Sequence, residues 1–136
     1  MGKYLVVANQ TLGGDQLMEE VRWRVARGPS SFYVVVPKIP PAVGSTEEAE
    51  RRATLTAQSR LHQALDQFRA EKIEARGDLG DSDPLTAIGD VLAAEQFDEI
   101  IISTLPTGIS RWLGLDLPHR VERKFKLPVT TVTAKA

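Results

Sequence analysis

The chain has 136 residues, no cysteine, 42% hydrophobic and 26% charged residues, and a formal net charge of -1. That length fits one domain with its own core, and the composition excludes a disordered or fibrous chain. The absent cysteines exclude disulfides and thiol chemistry, and the even charge balance argues against nucleic acid, whose binding needs a basic excess.

In chain order, Tyr4–Ala8 is a short apolar, β-branched run, the pattern of a strand buried on both faces. It is too short for a signal core or a membrane span, so the expectation is a cytoplasmic protein without a membrane partner. From Asp15 to Arg27, Leu17, Met18, Val21 and Val25 recur at helical spacing. Asp15 suits the N-cap, and Gly28-Pro29 ends the helix. Trp23 falls nearly opposite this stripe, which marks it as a surface tryptophan or a partner contact.

Phe32–Val36 reads as a second buried strand. The prolines of Pro37–Gly44 then enforce a loop. Ser45 or Thr46 caps a long helix with Glu47 and Glu48 in its first turn. Its buried face carries Ala53, Ala57, Leu61, Ala64, Leu65 and Phe68. A weaker third strand is expected around Ile73 to Arg76, followed by a turn over Gly77–Ser82. Asp83-Pro84 opens a helix lined by Leu85, Ile88 and Leu92. Asp78, Asp81 and Asp83 lack the distant bidentate glutamate of a calcium loop, and capping and turn formation explain them better.

Glu99–Ser103 is the clearest buried strand, and Thr104–Leu115 is irregular. Asp116 caps a helix whose Leu117, Val121 and Phe125 share a face, and Val129–Thr133 forms the last strand. The alternation predicts an α/β fold: a parallel five-stranded sheet with helices on both faces, as a single domain over residues 1–136.

In such a sheet ligands gather beyond the carboxyl ends of the strands. The candidate loops are Asn9–Gly14, Val36–Lys38 and Ser103–Asp116. The candidate contacts within them are Asn9, Val36, Ser103, Thr104, Thr107, Gly108 and Asp116. Trp112 suits either stacking on a planar base or filling the end of the sheet. His62 and His119 have no ligand cluster or nucleophile near them in sequence, so neither a metal site nor a catalytic residue is expected.

The opening strand, the long second helix, the Gly77 turn into Asp83–Ile88 and the closing block resemble the universal stress proteins. That block runs from Phe97–Ser103 through Arg120–Arg123 to Lys126–Val132. The resemblance implies the strand order 3-2-1-4-5 and a role in stress response. It also implies a homodimer through Val129–Thr133, whose uncharged β-forming residues leave the edge open.

Nucleotide-binding members of that family carry G-x2-G-x9-G-[ST] after the fourth strand. Here Ser103 and Pro106 stand at the first two glycines, and the closing pair falls around Leu115 and Asp116. Pro106 has no N–H to donate, and an aspartate at a helix N-terminus opposes a phosphate. The leading expectation is therefore a regulatory or interaction domain that is not an enzyme, has no cofactor and disfavours ATP. The alternative is an ATP- or AMP-binding stress protein using a modified loop. A third class, an adenylyl transferase, lacks its phosphate motif. The protein partner is left open.

Overall fold

The computed structural model describes residues 2–8, 15–38, 44–104 and 116–133. Strands β1 (Gly2–Ala8), β2 (Ser30–Pro37), β3 (Ala75–Gly80), β4 (Glu99–Thr104) and β5 (Val129–Thr133) form one sheet, ordered β3-β2-β1-β4-β5. Every neighbouring pair is parallel. Among the described residues the helices are α1 (Asp15–Val25), α2 (Glu47–Ala70), α3 (Pro84–Ala94) and α4 (Leu117–Phe125).

Alternation along the strands splits the core in two. Val6, Val34, Val36, Ile101 and Val132 face α1 and α2, meeting Leu17, Val21, Leu61 and Phe68. Leu5, Val7, Val35, Ile100 and Ile102 face α3 and α4, meeting Ile88, Leu117 and Val121. The two faces thus carry two helices each, as the alternation predicts.

Local capping follows the sequence at two helices. The Thr46 hydroxyl accepts from the Ala49 N–H at 3.1 Å, and an Asp83 carboxylate oxygen accepts from the Thr86 N–H at 3.1 Å. Asp81 serves the turn chemistry expected of it, accepting from the Asp83 N–H at 2.9 Å, whereas Asp78 lies within β3 and accepts from the Leu79 N–H at 2.8 Å.

Three expectations need correction. Strand β3 runs through Gly77–Gly80, where a turn was expected. The glycines there provide room: a Cβ on Gly77 would run into the Val34 carbonyl oxygen, and one on Gly80 would lie 2.8 Å from Val35 Cγ2. In α1, Val25 is exposed, and the buried stripe ends on Arg24 instead. Asp15 lies inside α1 as its first helical residue, one position later than an N-cap.

The outer strands differ in chemistry. Edge strand β3 presents exposed Arg76 and Asp78, with Arg76 bridged to Glu95 and stacked 4.8 Å from the Tyr33 ring. Edge strand β5 carries only valine and threonine.

Candidate functional site

The sheet order places β1 beside β4, while the helices that follow them cover opposite faces. This is the topological switch point, and its crevice lies at the carboxyl ends. The register brings several candidates to that rim. Val7 pairs with Val35 and Ala8 pairs with Ser103, so Val36, Ala8 and Ser103 stand level across three adjacent strands. Val132 continues the row beyond Ser103.

Val36, Ser103 and Thr104 are all buried at 4%, 3% and 0% exposure. They do not form one polar cluster. Strand alternation puts Ser103 on the α1–α2 face with Val36 and Val132, and Thr104 on the opposite face with Ile100 and Ile102. One ligand on one face therefore cannot take both hydroxyls side by side. Asn9, Thr107 and Gly108 fall outside the described residues, as do Pro106, Trp112 and Leu115.

Asp116 departs from its expected role. It precedes α4 in the left-handed conformation, at φ 56° and ψ 40°, and its carboxylate caps no amide of the helix. Cap residues that accept from a helix normally hold an extended backbone, so this geometry turns the side chain away. The carboxylate instead lies 2.9 Å from His119 Nδ1 on an exposed surface. An acidic group thus stands at the helix head beside the crevice, with its charge directed outward. Among the described residues no group of three or more His, Asp or Glu side chains could hold a metal ion.

A second polar arrangement, which sequence reasoning missed, ties the β5 edge to α1. Arg24 is only 4% exposed. Its Nε and Nη2 donate to the two oxygens of Glu99 at 2.9 and 2.7 Å, and its Nη1 donates to Glu20 Oε1 at 2.9 Å. Nη2 also donates to the Thr130 hydroxyl at 3.1 Å, and that hydroxyl donates to Glu99. Burial alone would raise the Glu99 pKa, but the Arg24 and Thr130 hydrogen bonds outweigh it and hold the carboxyl below its ordinary value. The signal was present, because Arg24 falls seven residues after Leu17 on the helical stripe. Beside this network, Glu19, Glu20, Trp23, Arg24, Glu99, Pro128 and Thr130 line an open groove of about 620 Å³.

Solved structures share this architecture. A universal stress protein family protein from Arabidopsis thaliana, solved with AMP bound, superposes with a TM-score of 0.62 at 9% identity. The alignment covers 100% of this chain and 94% of that one. The universal stress protein from Archaeoglobus fulgidus gives 0.62 at 19% identity, covering 95% of this chain and 93% of that one.

The chain has the universal stress protein fold. A universal stress protein solved in complex with cAMP superposes over 99% of this chain and 100% of its own length, with a TM-score of 0.59 at 18% identity. No protein-family model and no curated protein matches the sequence. The universal stress protein fold thus emerges from architecture at low sequence identity. No helix among the described residues is long and apolar enough to cross a membrane.

Proposed function

We propose that the protein is a universal-stress-protein-like regulatory or interaction domain of the cytoplasm, working as a homodimer without a conventional ATP site. The observation that carries this reading is Asp116. Its carboxylate stands exposed at the head of α4, where the family resemblance would bring a phosphate to the helix N-terminus. Pro106 and Ser103 at the first two glycine positions support the same reading from the sequence.

Thermal melting with millimolar ATP tests it. A ligand at 100 times its Kd stabilises a protein by roughly 2.7 kcal/mol, which a melting curve resolves readily. The expected result is no significant shift. A micromolar affinity would overturn the reading. The alternative then takes over, supported by AMP and cAMP in two structural neighbours and by the buried Ser103 hydroxyl at the strand end. On that alternative, Asp116→Ser strengthens nucleotide binding.

The dimer is assigned to the β5 edge, whose Val129–Thr133 run carries no charge. Thr131 is exposed and stands opposite Ile102 of β4 in the register. Proline at this position removes a donor and disturbs a ladder with a second copy. Sedimentation is expected to show a dimer for the wild type and a folded, largely monomeric Thr131→Pro variant. A monomeric wild type, or a variant that remains fully dimeric, would refute edge pairing.

A further inference from the structure

Trp23 is the largest apolar side chain exposed on α1, at 56%. The Arg27 guanidinium stacks 4.2 Å from its ring centroid, on the turn closed by the Arg27 N–H to the Arg24 carbonyl. Glu19 lies one helical turn before Trp23 and Arg27 one turn after it, and both are exposed. The resulting stripe reads acid, aromatic, base along one face.

This stripe borders the β5 edge. Trp23 shares its groove with Pro128 and Thr130, and Arg24 of α1 donates directly to Thr130. A second copy that pairs antiparallel along β5 brings its own α1 to the same sheet face, running the opposite way. In a two-fold interface each residue meets the partner of its counterpart, so the patch must be complementary to its own reversed image. An acid–aromatic–base stripe meets that condition: reversal sets Glu19 against Arg27 and Trp23 against Trp23.

We infer that Glu19, Trp23 and Arg27 form a self-complementary contact with the same residues of a second copy, each Glu19 facing the other copy's Arg27 across paired tryptophans. The inference rests on the proposed edge dimer and adds to it a side-chain anchor that fixes the pairing register. A large aromatic at the centre of a patch and charges at its rim is the usual division of labour in an interface. Rim charges there act chiefly by excluding wrong registers.

Sedimentation equilibrium of the full chain tests this with Trp23→Ala, Glu19→Arg, Arg27→Glu and the double variant Glu19→Arg/Arg27→Glu, run beside Thr131→Pro. Each single substitution is expected to raise the dimer Kd by about tenfold or more, and the double variant to return it towards the wild-type value. Because all three positions are exposed, melting curves should remain close to the wild type when compared at monomeric concentrations. If the singles leave Kd unchanged while Thr131→Pro dissociates the dimer, the α1 contact is refuted and edge pairing stands. If the double variant fails to recover, the Glu19–Arg27 pairing is refuted. If the wild type is monomeric, both fall. If the singles weaken a dimer that Thr131→Pro leaves intact, the α1 contact stands and edge pairing falls.

Discussion

Arg24→Ala is expected to destabilise the protein by about 3–5 kcal/mol, the usual cost of removing one member of a buried ion pair. The cost does not come from a lost attraction alone. Glu99, whose side chain is 19% exposed, would be left as a carboxylate short of its bidentate partner, with the Thr130 hydroxyl as its remaining hydrogen bond in the network. The Arg24 guanidinium also lies 5.5 Å from the Tyr4 ring centroid, and that cation–π contact goes too. Arg24→Lys keeps the charge but loses the fork that reaches Glu99, Glu20 and Thr130 together, so a partial loss is expected.

The pH dependence separates the ion pair from simple packing. Glu99 has a lowered pKa in the folded state, so its stabilising contribution is fully present above the ordinary glutamate value of about 4.3. That contribution disappears as the pH falls through the depressed folded value. Urea unfolding should therefore show the full gap between wild type and Arg24→Ala at pH 7 and a smaller gap near pH 3. A loss below about 1 kcal/mol at pH 7 would show that the network contributes no more than a surface pair.

Phe68→Ala is expected to cost a similar amount, about 3–5 kcal/mol, by the removal of buried surface and the opening of a cavity. Phe68 is 1% exposed near the end of α2 and stands 5.4 Å from Phe32, which in turn stacks 5.2 Å from Tyr4. This row of rings joins α2 to β2 and β1. The Phe68 carbonyl also accepts from the Ile73 N–H at 2.9 Å, fixing the turn that leads to β3. Loosening there should show first as faster hydrogen exchange in β3. Denaturant unfolding measures the total, and a cost under about 1.5 kcal/mol would mean that the surrounding side chains collapse into the space.

The central strands were legible because Tyr4–Ala8, Phe32–Val36 and Glu99–Ser103 are apolar, largely β-branched runs that suit burial on both faces. Strand β3 was not, since Gly77 and Gly80 carry the local signal of a turn. Their reason lies in another strand and another helix: Val34, Val35 and Ala87 occupy the space that side chains would need. Arg24 was hidden for a related reason. A charge on a helical stripe reads as surface until its partners, 75 and 106 residues further along, are brought beside it.

The rim of the crevice was readable from topology, but its chemistry was less so. The sequence pattern ends the fourth strand at Ser103, but β4 runs through Thr104, and alternation then turns these neighbours to opposite faces. Asp116 was assigned a cap from its residue type and position. The backbone conformation that prevents the cap is not encoded in that local pattern, although aspartate tolerates the left-handed region better than most residues.

The unlike edges of the sheet also bear on growth. An extended sheet propagates when each added copy exposes another receptive margin, as fibrils do. Here Arg76 and Asp78 line the β3 margin, charged side chains of the kind that discourage strand addition, while β5 lacks them. A molecule receptive on one margin can terminate an assembly but cannot extend it. In the proposed dimer, association through β5 would consume the receptive side of both partners, so the sheet would close at two copies where a symmetric pair of open margins would give a filament.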